Sequence, residues 1–279
     1  MLAESFETRE AENLFKYTLE DFFKKRYIDV KDFDLSDEEI EELNYIYEKI
    51  SNHYPIQYIF NKAHFYGLDF YVDEHVLIPR PETEELVHLI LSENKQEQLS
   101  VLDIGTGSGC IAISLKKHRP EWQVFAIDVS ENALEAAKIN ALKNNVTIEF
   151  FNHDILPNTD FFVDVNLYME REDANPLKLD IIVSNPPYIP MKEKELMSVS
   201  TLQFEPSLAL FVDDKNPLLF YDKIADFALQ HLTDQGALYF ELNEFNADDV
   251  VALLESKGFK HIFLKKDLAG KNRMLYCQR

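Results

Sequence analysis

Asp180-Ile-Ile-Val-Ser-Asn-Pro-Pro-Tyr-Ile-Pro190 is the stretch whose reading sets the fold. Its β-branched apolar run, Ile181 to Val183, reads as a strand buried on both faces, as inside a parallel sheet. The run halts at Asn185-Pro186-Pro187-Tyr188. Two successive prolines donate nothing to a sheet ladder, and each holds the residue before it extended. The chain therefore leaves the sheet along a stiff path at the strand's C-terminal end, where open α/β sheets bind their ligands. A stiff loop there offers an amide (Asn185), free carbonyls and an aromatic ring (Tyr188), a set of parts suited to a planar group bearing an NH2.

Upstream, Leu99 to Asp103 reads as a strand, followed by Ile104-Gly105-Thr106-Gly107-Ser108-Gly109 and a helix from Cys110 to about His118. Glycines at alternate positions let the backbone turn sharply and approach a ligand closely. The third glycine falls one residue too early for the dinucleotide fingerprint, which argues against a pyrophosphate and a nicotinamide oxidoreductase. The next strand, Gln123 to Ile127, ends in Asp128, with Ser130 placed as a helix N-cap. An acid at that tip suits both hydroxyls of a ribose. A third strand, Val146 to Phe151, leads to Asp154, placed to bond an adenine amino group with Ile155 or Phe151 against the ring. His153 reads as surface.

Downstream, Lys192 to Ser207 reads as an irregular flap, then come a helix (Leu218 to Leu232), a strand (Ala237 to Leu242), a helix (Ala247 to Lys257) and strands at Lys260 to Leu264 and Arg273 to Cys277. Strands alternating with helices predict an α/β fold. Pro157 to Lys178 reads as a long, polar, mobile segment.

The N-terminal part reads differently. Residues 1–60 predict a small helical domain, with one amphipathic helix through Ala11, Leu14, Phe15, Leu19, Phe22 and Phe23. A second carries a capping box at Ser36 and Glu39, a hydrophobic staple from Leu35 to Ile40, and a buried face of Ile40, Leu43, Tyr47 and Ile50. From Ile56 the pattern turns aromatic and β-rich, and Gly67-Leu68-Asp69 supplies a turn, so 61–80 predict a hairpin linker. Pro81 suits the first position of a helix and Glu82, Glu84 and Glu85 its positive end. Residues 81–279 form the third region.

Composition narrows the class. The chain has 279 residues, with 46% hydrophobic and 28% charged, ordinary globular values. No uninterrupted apolar window is long enough to span a membrane, and the N-terminus reads as neither secretory nor mitochondrial. Cys110 and Cys277 stand without metal or disulfide spacing, which suits a cytoplasmic protein. No His falls in a ligand pattern, so no metal is expected. The net charge of −22 and the absence of a basic stripe argue against nucleic acid and toward a protein partner with a basic face.

These residues resemble the class I S-adenosylmethionine methyltransferases, and within them the release-factor glutamine methyltransferases (HemK/PrmC). The resemblance rests on Ile78-Pro-Arg-Pro-Glu-Thr-Glu84, Asp103-Ile-Gly-Thr-Gly-Ser-Gly109, Ile127-Asp128, Val183-Ser-Asn-Pro-Pro-Tyr-Ile189, Phe204-Glu-Pro206 and Asp267-Leu-Ala-Gly-Lys-Asn-Arg273. These markers run in family order from about Tyr54 to the C-terminus. The resemblance implies a Rossmann-like seven-stranded sheet with a final antiparallel strand, S-adenosyl-L-methionine as methyl donor, and methylation of the glutamine in the Gly-Gly-Gln loop of peptide chain release factors. It implies a cofactor loop at Gly105, Thr106, Gly107, Ser108 and Gly109, a ribose acid at Asp128, an adenine side at Asp154 and Ile155, and a substrate clamp at Asn185, Pro186, Pro187 and Tyr188, with Asn185 bordering the cofactor.

Three departures stand out: Ile155 replaces a frequent aromatic residue, the 157–178 segment is long, and Glu241-Leu-Asn243 replaces a glycine-containing turn. None is expected to touch the clamp. An amide nitrogen is a poor nucleophile and no strong base is evident, so catalysis is expected to rest on orientation, worth roughly 7–11 kcal/mol. The Asn185 oxygen and Pro186 carbonyl fix the NH2 and favour positive charge on nitrogen, while Tyr188 holds the amide plane. The alternatives are amino methylation of adenine or guanine in DNA or rRNA with the same clamp, and a non-catalytic nucleoside-binding protein. A monomer is expected.

Overall fold

The computed structural model describes residues 8–24, 35–157 and 178–279. The predicted segment between Pro157 and Lys178 lies almost wholly outside these residues.

Ten helices and eleven strands are described: α1 (Thr8–Tyr17), α2 (Asp37–Ser51), α3 (Ile56–Ile59), β1 (Ala63–Phe65), β2 (Leu68–Phe70), α4 (Pro81–Glu93), β3 (Ser100–Ile104), α5 (Cys110–His118), β4 (Gln123–Asp128), α6 (Glu131–Lys143), β5 (Glu149–Asn152), β6 (Leu179–Ser184), β7 (Ile189–Pro190), α7 (Val199–Phe204), α8 (Ser207–Leu210), β8 (Phe211–Val212), α9 (Leu219–His231), β9 (Leu232–Glu241), α10 (Ala247–Lys257), β10 (Lys260–Lys266) and β11 (Asn272–Gln278). Seven strands form one sheet in the order β10-β11-β9-β6-β3-β4-β5. Its neighbours are parallel except β11, which runs antiparallel to both β9 and β10.

The chain enters the sheet at β3, steps outward to β4 and β5, then returns to the other side of β3 with β6. That reversal creates a crevice at the C-terminal ends of β3 and β6, the switch point at which such sheets bind ligands. Register pairs Ile104 with Ser184, so the glycine loop and the Asn-Pro-Pro-Tyr loop leave the sheet side by side. Ser184 Oγ reinforces the match by donating to the Ile104 carbonyl at 2.7 Å.

Alternation along the strands builds two cores. Leu102, Ile104, Phe125, Ile127 and Ile182 face α9 and α10, while Val101, Val124, Ala126, Ile181 and Val183 face α4 and α5. Each of these side chains larger than Ala126, nearly or fully buried, is worth roughly 1.5–3 kcal/mol. A third cluster packs Tyr58, Val72, Val76 and Ile78 onto Ala133 and Ala136 of α6.

Several predicted boundaries move. The turn of the β1–β2 hairpin is Tyr66-Gly67, both at positive φ (48° and 76°), which is the twist a two-residue hairpin needs. Leu68 and Asp69, read as turn, are therefore strand, and Ile56–Ile59, read as β-rich, is a helical turn. The capping box of α2 forms as predicted: Glu39 N donates to Ser36 Oγ and Ser36 N to Glu39 Oε2. Its buried face is rotated, with Ile46 and Ile50 inside and Ile40 44% exposed. The α1 helix continues into a π-helical turn, Thr18–Phe22, that buries Leu19. The flap expected to be irregular is mostly helical, comprising a 3₁₀ turn (Met191–Leu196), α7 and α8. Among the described residues no helix is long and apolar enough to cross a membrane.

Candidate active site

The loop after β3 is shaped by three residues at positive φ: Gly105 (73°), Gly107 (55°) and Gly109 (80°). Gly105 N and Thr106 N both donate to the Ile127 carbonyl, which ties the loop to the end of β4. Gly107 N donates to Asp128 Oδ2 at 2.8 Å and Ser130 N to Oδ1 at 2.9 Å. Thr106 Oγ1 turns inward and donates to Asp103 Oδ2 at 2.7 Å, an oxygen that also accepts from Ala112 N. Burial pushes the Asp103 carboxyl up to about 7 against the pull of these two bonds. Burial likewise raises Asp128.

A cleft of about 1130 Å³, open to solvent, lies over this loop. Its wall includes the backbone of Gly105 to Ser108, then Asp128, Asp154, Ile155, Asn185, Pro186 and Pro187, so residues from four loops converge there. Two sequence-predicted residues lie elsewhere. Gly109 is the left-handed N-cap of α5, where an added Cβ would stand 2.9 Å from Ile113 Cδ1 and 3.2 Å from Ala137 Cβ. It sets how closely α5 and α6 pack rather than lining the cleft. Tyr188 lines a second recess of about 700 Å³ that shares Leu77, Arg80, Asn185, Pro186 and Ala209 with the first. The two spaces therefore meet at Asn185-Pro186.

Phe151 does not line the cleft but packs against the core, while His153, read as surface, is half-buried in its wall. Phe220, at the start of α9, adds a phenyl ring to the wall.

Behind the Asn-Pro-Pro-Tyr loop sits a polar network. Asn185 Nδ2 donates to Thr83 Oγ1 at 3.3 Å, Thr83 Oγ1 donates to Glu241 Oε2 at 2.6 Å, and Tyr188 Oη donates to Glu241 Oε1 at 3.0 Å. Glu241, at the end of β9, is only 2% exposed. Burial raises its carboxyl, while the bonds from Thr83 and Tyr188 and the charge of Arg273 oppose the rise. Burial, then the charge of Glu241, raises the Tyr188 phenol well above its usual range. Asn243 Nδ2 also reaches the Tyr188 carbonyl at 3.4 Å. The Glu241-Leu-Asn243 departure thus touches the clamp directly, contrary to expectation.

Two further motifs brace this wall. Glu205, 6% exposed, accepts from Ile78 N at 3.1 Å and from Arg80 Nη2 at 2.5 Å, which joins the α7–α8 flap to the segment before α4. Arg273 donates to the Leu242 carbonyl and pairs with Asp267 at 3.4 Å. Thr83, Glu205, Phe220 and Glu241 were missed as site residues. The available signal for Glu241 was an acid closing the apolar run Ala237 to Phe240.

Among the described residues no group of three or more His, Cys, Asp or Glu could hold a metal ion, and both cysteines are free. The arrangement is an open cleft and an adjoining recess that meet at Asn185-Pro186.

The methyltransferase small domain family model matches residues 83–206. A release factor glutamine methyltransferase from Flavobacterium psychrophilum is 44% identical, over 98% of this chain and 94% of its own length. One from Streptococcus pneumoniae is 43% identical over 86% of this chain and 80% of its own length. The crystal structure of a methyltransferase from Pyrococcus furiosus superposes with a TM-score of 0.54 at 16% identity, covering 98% of each chain, a likeness of fold alone.

Proposed function

The chain belongs to the release factor glutamine methyltransferase family, and we propose that it transfers a methyl group from S-adenosyl-L-methionine to the side-chain nitrogen of the glutamine in the Gly-Gly-Gln loop of peptide chain release factors. The observation that carries this reading is the meeting, at Asn185-Pro186, of a cleft walled by the glycine loop, Asp128 and Asp154 with a recess lined by Tyr188.

The residues present fit the methyl donor. Built Cβ atoms on Gly105 and Gly107 meet nothing within 4 Å, so the loop leaves open space above it. Asp128 keeps carboxylate lone pairs beyond those taken by Gly107 N and Ser130 N, and would accept the ribose hydroxyls. Asp154, Ile155 and Phe220 would enclose the adenine, Phe220 supplying the flat face that Ile155 lacks. When bound, S-adenosylmethionine supplies an electrophilic methyl carbon.

The chain's own residues then act on the glutamine. Asn185 Oδ1 and the Pro186 carbonyl accept from the carboxamide NH2, orienting it and favouring positive charge as the nitrogen is alkylated. Tyr188, its hydroxyl tied to Glu241, holds the amide plane. Pro186 and Pro187 keep the corner stiff, so little reorganisation is needed during the reaction. Action as a monomer is part of this reading. Residues 1–60, 61–80 and 81–279 would serve as helical domain, linker and methyltransferase domain, in the cytoplasm where release factors act.

Nucleic-acid amino methylation is the second reading, since Asn-Pro-Pro-Tyr suits any flat NH2. The net charge of −22 disfavours it. Transfer of labelled methyl groups from donor to purified release factor, DNA or rRNA separates the two. Label in the release factor alone is the expected result; label in nucleic acid alone would reverse the assignment.

A further inference from the structure

We propose that Thr83 and Glu241 are positioning residues that fix which end of the Asn185 amide faces the substrate, and so make the site select a carboxamide over a carboxylate. The inference rests on the functional reading above and adds two residues that reach Asn185 and Tyr188 from distant parts of the chain.

Both oxygens of the buried Glu241 accept from hydroxyls, Oε2 from Thr83 and Oε1 from Tyr188, and a hydroxyl has one proton to give. Thr83 Oγ1 has a single proton and spends it on Glu241 Oε2 at 2.6 Å. Toward Asn185, Thr83 is left with lone pairs only. The amide must then turn its NH2 to Thr83, at 3.3 Å, and its oxygen away. Tyr188 spends its own proton on the other Glu241 oxygen, so the same carboxylate sets both ends of the clamp.

The consequence is specificity. An Asn185 oxygen accepts from an NH2, whereas it repels the oxygens of a glutamate side chain. Were the amide free to flip, its NH2 would face the pocket and a carboxylate would be welcomed. Sites that leave a buried polar group mismatched against the wrong ligand discriminate strongly.

Thr83→Val keeps the side chain's size and β-branching but loses the oxygen, and Thr83→Ser restores it. Three readouts are needed: single-turnover methyl transfer to release factor, calorimetric affinity for S-adenosylmethionine, and inhibition by release factor whose loop glutamine is changed to glutamate. In Thr83→Val the transfer rate should fall roughly 10- to 100-fold, with donor affinity near wild type and tighter inhibition by the glutamate form. Thr83→Ser should recover most of the rate. In an Asn185→Ala background, Thr83→Val should cost nothing further, since Thr83 acts through that amide.

The proposal is overturned by a wild-type rate in Thr83→Val, by unchanged discrimination between the glutamine and glutamate forms, or by equal damage in Thr83→Ser. Glu241→Gln, whose amide both donates and accepts, gives an independent check and should also relax the discrimination. Wild-type protein that leaves release factor unmethylated would defeat the functional reading itself, a result distinct from any of these.

Discussion

Asn185 carries the heaviest burden of any single residue, since it stands where cleft and recess meet and its amide NH2 is held by Thr83. Asn185→Ala is expected to lower the rate of methyl transfer by roughly 10²–10³-fold, with S-adenosylmethionine binding within a few-fold of wild type by calorimetry. The glycines are separable in the same way. Gly109 combines a left-handed φ with a crowded Cβ position, so Gly109→Ala should cost roughly 2–4 kcal/mol in denaturant unfolding. Gly107→Ala meets open space and should cost about 1–2 kcal/mol from backbone strain alone. Equal losses would mean that helix packing is not what Gly109 serves. Asp103 gives a pH prediction. Its folded carboxyl lies near 7, above its unfolded value of 3.8, so its contribution is full below about pH 4, falls as pH rises, and is lost by about pH 7. Asp103→Asn should therefore gain stability relative to wild type as pH rises from about 4 to about 7, by up to a few kcal/mol, with no further change above that. A difference independent of pH would show that Asp103 does not titrate in this window.

Elements were legible where their signals are local. The box at Ser36 and Glu39, the proline at the start of α4, the Ser130 cap of α6 and the bounds of α10 all form as the sequence predicts, because each depends on residues within a turn of one another. Contacts made at long range were not legible. The face of α2 turned toward Ile46 is set by what it packs against, and the helical flap gains its order from Glu205 reaching back to Ile78 and Arg80, 127 and 125 residues away. Glu205→Gln should weaken that tie, leaving a buried donor poorly satisfied, and cost roughly 1–3 kcal/mol by thermal or denaturant unfolding. No change in stability would mean that the flap is held by its apolar contacts, such as the Tyr54–Phe204 edge contact at 4.8 Å.

Over the whole molecule, strand order explains what was and was not readable in the site. The glycine loop, Asp128 and Asn185 to Tyr188 each sit at a strand end within a recognisable segment, and the switch between β4 and β6 around β3 brings them together. Thr83 and Glu241 are 158 residues apart and meet only because β9 lies beside β6 and α4 packs over that face. No local pattern in either segment announces the other. The charge of −22 belongs to this scale too. Docking to a basic face of the release factor should be steered electrostatically, so stopped-flow association rates should fall steeply as salt rises from low to physiological strength. A flat salt dependence would place recognition in apolar contacts instead. The most direct test of the account is fragmentation mass spectrometry of release factor after incubation with this protein and S-adenosylmethionine. One methyl group on the side-chain nitrogen of the Gly-Gly-Gln glutamine, absent with Asn185→Ala, is the predicted result; an unmodified glutamine, or a methyl group on another residue, would contradict it.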